Sequence, residues 1–454
     1  MDIIWTCLVI MFLCTWSILH LNVPPQLKPL DPPKNTWERI RRSFWTTWYI
    51  TKRKIFWMAF TILFPEWPLG EAIQALVSGL KFTKDFETFQ ETNRLEDEVK
   101  WTLTHTMYAN MGGFIIRFAT PEGQSQLSGE ETSQNNIDKW LEEFRINHQT
   151  GYRYLGPFDW DPHPEHLILA KANINARGKG QDPTRDNTAR ALSGSVWVLN
   201  APQLLEARRR GIILQLPSIT ENEINDKNKG DTLVKLLAVL QVTWLGIQLL
   251  IRAVEGRQSS QLEITALALA FCAFATYLLL LWQPKDICTP TVTLAQRSAD
   301  KAEFENLVDL YSESGLLGRK HYGLDTFSQP KLVGNYRLLH NLDSYGLVLG
   351  LFIFGCIHLL GWNFQFPSAV EHLLWRISGI LVACLPLAFL LVEFAEYDDN
   401  KSWWKALLVC LGMAAVVVFA FARLFLLVEA FRSTYYLPPS SYIATWANNI
   451  PHFG

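Results

Sequence analysis

The chain has 454 residues, 49% of them hydrophobic and only 19% charged, with a mean hydropathy of +0.07 and a net charge of −2. Soluble domains carry about 25% charged residues, so this balance, with 18 tryptophans, excludes a disordered chain, a collagen-like repeat and a small disulfide scaffold. It also removes nucleic acid as a general partner. What remains is an all-α, polytopic helical membrane protein, with the lipid bilayer as its first partner.

In chain order, six stretches stay apolar over the roughly 20 residues that a crossing helix needs: Ile3 to Leu21, Leu233 to Ile251, Leu262 to Trp282, Ser344 to Trp362, Leu373 to Glu393 and Trp404 to Val428. Ile55 to Leu80 and Trp101 to Ala119 bring the expected total to eight spans. Both also admit a re-entrant or interfacial reading. Pro65-Glu66-Trp67-Pro68 interrupts the first and Glu71 follows; the second holds His105, Arg117 and the Gly112-Gly113 pair. Met1-Asp2 lacks the basic flank of a signal peptide and no small-x-small cleavage site follows, so the first stretch is expected to remain as an anchor.

Basic residues cluster after the first span (Lys28, Lys34, Arg39, Arg41, Arg42, Lys52, Arg53, Lys54) and in the loop from Gln283 to Asp343 (Lys285, Arg297, Lys301, Arg319, Lys320, Lys331, Arg337). The turn from Asn363 to His372 has neither Lys nor Arg. Basic loops stay cytosolic, so that turn is expected outside, and alternating eight spans agrees, with both termini outside. The expected organisation is then residues 1–119 for the N-terminal spans and hairpin, 120–232 for a cytosolic polar insert, and 233–454 for a membrane domain of five spans.

The insert opens with a linker, Glu122 to Gln134, followed by helices expected at Ile137 to Phe144 and Ala201 to Arg210 and an extended piece at Leu214 to Pro217. It is too poor in apolar runs for an independent enzyme domain and is expected to pack on the membrane part. Asp159, Asp161, His163 and His166 have metal-ligand chemistry, but Pro162 and Pro164 hold them apart and no second cluster completes a site. Gly178-Lys179-Gly180 lacks the strand and ending of a P-loop. Arg208-Arg209-Arg210 suits anionic lipid without reaching a recognition cluster, and Ser298 to Tyr311 reads as an interfacial helix. The cysteines have no CxxC or finger spacing and read as small apolar residues. No cofactor is expected.

Ionisable residues within spans are functional candidates by default, because each costs about 2.5–3.5 kcal/mol on insertion. On the outer side the spans place Arg252, Glu263, His358, Glu371, His372, Arg376, Arg423 and Glu429, with His105 if its stretch spans. Two readings stay open. The set forms a polar vestibule, or it neutralises itself, Arg252 with Glu263 and Arg376 or Arg423 with Glu371 or Glu429. Glu393-x-x-Glu396-x-Asp398-Asp399 on the inner side has the look of a magnesium-diphosphate motif but no facing partner.

Several stretches carry a family resemblance: Cys14-Thr15-Trp16, His20-Leu21-Asn22-Val23-Pro24, Met111-Gly112-Gly113-Phe114, Asp226-Lys227-Asn228-Lys229-Gly230-Asp231 ahead of a span with Gln241 and Trp244, Leu262-Glu263 and Trp282, Phe366-Pro367, Leu374-Trp375-Arg376, and Ile450-Pro451-His452. On these the chain resembles an uncharacterised family of fungal multi-pass membrane proteins. The resemblance implies a fungal membrane protein and supplies no activity; the chain is expected in the endomembrane system or the plasma membrane.

Two functions follow as expectations. The first is a small-solute or ion permeation module or a membrane scaffold. The second is a membrane-embedded enzyme acting on a lipid or terpenoid substrate through outer-face His and Glu residues. Either would have a small molecule or lipid as partner.

Overall fold

The computed structural model describes residues 2–23, 35–93, 97–118, 163–176, 183–228, 232–257, 259–310, 342–396 and 403–437. The linker at 122–134, the helix expected at 137–144, Asp159, Asp161, the turn at 178–180, and Asp398 and Asp399 lie outside these residues. The described residues are mostly helical and form two layers, one apolar and one polar.

The apolar layer contains α1 (Asp2–Ile18), α2 (Thr36–Leu63), the first half of α3 (Glu66–Asn93) and, later in the chain, five more helices. We number these α9 (Thr232–Val254), α10 (Gln261–Leu279), α12 (Leu342–His358), α13 (Ala369–Glu396) and α14 (Trp403–Arg432). Among the described residues four helices are long and apolar enough to cross a membrane, at Leu236–Val254, Gln261–Leu279, Ala369–Leu387 and Cys410–Tyr436. The expectation of eight is therefore corrected to four. Helix α1 and the Tyr345–Gly361 stretch are apolar but shorter. Ile55 to Leu80 is not one helix. Pro65 has no N–H to donate and disfavours helical backbone at Phe64, so α2 closes at Leu63 and α3 opens at Glu66. Trp101 to Ala119 is neither span nor hairpin; it supplies a short helix and a strand to the polar layer.

Helix α10 is the most buried of the four. Its Leu262, Ala266, Leu269 and Ala273 pack against Cys7, Ile10, Met11 and Cys14 of α1 with Leu245 and Leu249 of α9. Ala268 and Cys272 on its other side meet Phe354 of α12, Trp375 and Val382 of α13, and Leu426 of α14. Leu236, Leu240 and Leu250 on α9, and Leu411, Phe421 and Leu424 on α14, stay exposed on the outside of the layer. Small residues set the closest approaches, as between membrane helices. A Cβ on Gly346 of α12 would lie 2.9 Å from the Gly70 Cα of α3, and one on Gly355 only 2.4 Å from the Ala383 backbone N of α13.

The polar layer holds α4 (Leu103–Asn110), α5 (Pro164–Ala176), α6 (Pro183–Ala191), α7 (Ala201–Arg209), α8 (Glu221–Lys227) and α11 (Lys301–Asp309) around a three-stranded sheet. Its strands are β1 (Phe114–Arg117), β2 (Val196–Val198) and β3 (Thr291–Leu294), in the order β2-β1-β3. β1 pairs antiparallel with β2, Ile116 opposite Trp197, and parallel with β3, Ile115 opposite Val292. The all-α expectation is corrected here. Short apolar runs do not separate strand from helix by period, and Phe114-Ile115-Ile116 follows Gly112, whose φ of 77° ends α4. Gly113 must also lack a side chain, since a Cβ there would lie 2.2 Å from the Tyr108 ring.

The sheet draws on strands from outside 120–232, so the polar unit is not confined to that insert. Phe82 and Phe86 of α3 enter its core with Trp101, Phe114, Trp197, Phe304 and Leu307. Thus α3 runs from one layer into the other, and α11, expected at an interface, instead buries Phe304, Leu307 and Val308 in the polar core. Between the layers the Lys285 ammonium donates to the carbonyls of Trp16 (2.7 Å) and Ser17 (2.8 Å) at the end of α1. Lys54 pairs with Asp286 at 2.7 Å.

The Gly355 approach gives a direct test of the apolar packing. Gly355→Val should cost about 1–3 kcal/mol by overpacking, read as a lowered thermal midpoint of the detergent-purified protein. Gly412→Val on α14, where nothing lies within 4 Å of the built Cβ, should leave the midpoint unchanged.

Candidate functional site

The break between α2 and α3 lies inside the apolar layer, where the open ends of two helices need partners. Arg423 of α14 supplies one. Its Nη2 donates to the Leu63 carbonyl at 3.2 Å, at the end of α2 where the helix dipole favours a cation. Its Nη1 lies 2.7 Å from Glu66 Oε1. Glu66 stands at the start of α3, where the dipole favours an anion, and its side chain is 0% exposed. The Arg423 guanidinium also sits 3.6 Å over the Phe354 ring, a favourable cation–π placement.

One turn beyond Phe354, His358 ends α12 in a buried position. Its Nδ1–H donates to the Phe354 carbonyl at 2.8 Å, so Nε2 is the acceptor that faces Thr265 Oγ1 at 3.3 Å. The indole N–H of Trp375 donates to the His358 carbonyl at 3.2 Å. Glu66, Arg423, Phe354 and His358 therefore form one contiguous chain through the layer. Glu66 escaped the sequence reading because it was counted with the interrupting prolines. The proline that breaks the helix was the available signal, since a broken helix in an apolar setting calls for charge at both ends.

The remaining candidates engage locally. Arg252 and Glu263 lie 3.4 Å apart and buried. Glu263 also accepts from the Ser260 N–H (2.8 Å) and hydroxyl (2.9 Å), a capping box that closes the α9–α10 turn. Glu371 accepts from the Ser368 N–H at 3.1 Å and pairs with Arg432, which reaches Glu429 at 3.0 Å as well. Arg432 was not in the sequence-derived set, and it takes the partners expected for Arg423 or Arg376. His372 Nε2–H and Arg376 Nε–H both donate to the Trp362 carbonyl, at 2.7 and 2.9 Å. Arg376 also stacks on the Trp362 ring at 4.7 Å. His105 lies in the other layer altogether. There its Nε2–H donates to the Ile219 carbonyl at 2.8 Å, and burial pushes its imidazole below the ordinary value.

The polar layer has its own buried histidines. His163 and His166 stack at 4.1 Å, and the His166 ring packs on Phe118 and Trp197, each at 4.5 Å. His166 donates through Nδ1–H to the Gly194 carbonyl at 3.0 Å. Burial pushes it down to about 4 and lowers His163 too, so both are neutral near pH 7. Among the described residues no group of three or more His, Cys, Asp or Glu side chains is placed to hold a metal ion.

A groove of about 720 Å³ opens along β3, walled by Leu214–Ile219 and by Glu98, Glu223, Asp226 and Lys227. Lys227 donates to Thr291 Oγ1 at 2.8 Å, which ties α8 to the strand.

Residues 206–312 match the model of a family of unknown function (DUF8562). The matched part runs from the end of α7 through α9 and α10 to α11, and so takes in two of the four long apolar helices, the Arg252–Glu263 pair and most of the groove. No curated protein and no solved structure matches the chain.

Two predictions test this geometry. Breaking a buried ion pair by removing one partner costs about 3–5 kcal/mol, so Arg423→Ala should lower the thermal midpoint and the yield of folded protein. A compensating Glu66→Gln should recover much of the loss, while Glu429→Gln in the same background should recover none. Recovery by Glu429→Gln would reassign the pair. For His166, the ordinary value of 6.5 applies to the unfolded chain and about 4 to the folded one. The unfolded chain thus binds more protons between those values, and stability is full above pH 6.5 and falls as pH drops towards 4. His166→Gln should flatten the midpoint-against-pH curve in that window; an unchanged slope would show that His166 is not the titrating group.

Proposed function

We propose that this protein is a multi-pass membrane scaffold. Its apolar helices embed it in a bilayer, and a polar unit with a groove is held rigidly at one face. The observation that carries this reading is the continuity of α3, which lies against α12 at Gly70 and buries Phe86 in the polar core. Lys285 and Lys54 add fixed ties across the same junction. The exposed Leu and Phe side chains around α9 and α14 suit lipid tails. The groups expected to form a vestibule are engaged instead in capping, pairing and stacking, as for Glu263, Glu371, His372 and Arg376. This also weakens support for an enzyme on lipid or terpenoid substrates, because one ring nitrogen of His358 and one of His372 already serve backbone carbonyls.

Ion permeation is the second reading, favoured by the fully buried Glu66 at a helix break, the kind of place where transporters bind ions. Vesicle reconstitution separates the two. The scaffold reading expects proton and potassium flux, followed with entrapped dyes, to match that of protein-free vesicles. Flux that is above this background and abolished by Glu66→Gln would overturn it in favour of permeation.

A further inference from the structure

We infer that the groove along β3 binds an extended, basic peptide segment of a partner protein by strand addition. This rests on the scaffold reading, since it names what the held polar unit presents. Among the described residues β3 is an edge strand, paired with β1 on one side only in the sheet order β2-β1-β3. The parallel ladder uses alternate residues. The Thr291 N–H donates to the Gly113 carbonyl and the Ala295 N–H to that of Arg117, so Val292 and Leu294 direct their N–H and C=O groups away from β1. Those groups face the open side where the groove runs.

The groove is a slot and not a flat edge. The Gln296 N–H donates to the Ile212 carbonyl at 2.8 Å, which pins the following segment beside the strand end. Leu214–Ile219 then forms the far wall. Val292 and Leu294 are 50% and 73% exposed, and both lie on the same face of the strand by its two-residue period. An incoming strand would gain main-chain hydrogen bonds from the edge and apolar contact from these side chains, the two sources of affinity in strand addition.

Charge selects the partner. Among the described residues Glu98, Glu223 and Asp226 line the slot against one cation, Lys227, which Thr291 already engages. Hydrogen bonds from Thr220 hold the Glu223 carboxyl below the usual range, so it stays ionised. A long exposed edge invites unspecific pairing unless charge guards it; this acidic rim rejects acidic strands and admits lysine- or arginine-bearing ones.

The test uses the full-length protein in nanodiscs of neutral phosphatidylcholine and a fluorescein-labelled peptide that alternates lysine and valine, read by anisotropy. Saturable binding is expected, weakened on the order of tenfold or more by Val292→Pro, which removes an edge N–H at a position where an edge strand tolerates proline. The exposed double reversal Glu98→Lys with Asp226→Lys should weaken it similarly. Unchanged thermal midpoints would show that these variants fold. Equal binding of a peptide alternating glutamate and valine, binding that ignores all three substitutions, or no saturable binding would overturn the proposal. Binding of the peptide only to protein-free nanodiscs would do the same. None of these outcomes touches the flux measurement, so the scaffold reading stands or falls separately.

Discussion

A broken helix inside an apolar layer must neutralise its own ends, and this chain does so with one ion pair. Where α2 stops, the unsatisfied carbonyls carry partial negative charge; where α3 starts, the unsatisfied N–H groups carry the opposite. Arg423 answers the first through the Leu63 carbonyl, Glu66 answers the second, and the two side chains answer each other. Either charge alone would be untenable in such a setting. Together they let the chain turn within the layer instead of crossing it. Because it turns, α3 can head back towards the polar side with its second half available as a core element. Phe82 and Phe86 are what it delivers there.

That delivery makes the two layers one folding problem. β1 follows α4, β2 lies beyond α6, and β3 comes only after α10. The sheet therefore closes only when the α9–α10 pair has returned the chain to the polar side. The capping box at Ser260 and Glu263, with Arg252 buried against it, fixes that turn. Lys285 then arrives directly after α10 to satisfy the last carbonyls of α1, in the way that cations favour helix C-termini. An ammonium at this point is worth more than a surface charge, because it serves carbonyls that have no helical partner and lies buried.

Much of this was legible in the residues. Apolar length located the helices of one layer, and the Arg252–Glu263 pairing followed from proximity across a short turn. The count of spans did not follow, because Pro65 divides Ile55 to Leu80, Trp101 to Ala119 serves the polar layer, and the helices at Ile4–Ile18 and Tyr345–Gly361 are shorter. β1 was hidden for a different reason. Phe114-Ile115-Ile116 is too short for either period to declare itself, and its strand character depends on distant neighbours such as Trp197 and Val292. The partner of Arg423 was also beyond reach. Glu371 and Glu429 were nearer in sequence, yet Arg432 claims both, and only the fold brings Glu66 to the spot. His105 shows the limit most clearly: an imidazole in an apolar run looked like a membrane group, and it is a core residue bonded to the Ile219 carbonyl.

The distribution of polar chemistry then bears on what the molecule presents to others. In the apolar layer, charged groups terminate helices, cap turns, pair or stack on rings, so most of them are engaged by the fold itself. A binding site needs the reverse: groups held in place yet turned outward. Along β3 the backbone of Val292 and Leu294 meets that condition, since the ladder to β1 fixes the strand while leaving these residues directed into the groove. The Lys227–Thr291 contact stiffens the same strand from α8. Rigid support behind and open valence in front is the arrangement that lets a binding partner dock without first ordering the site.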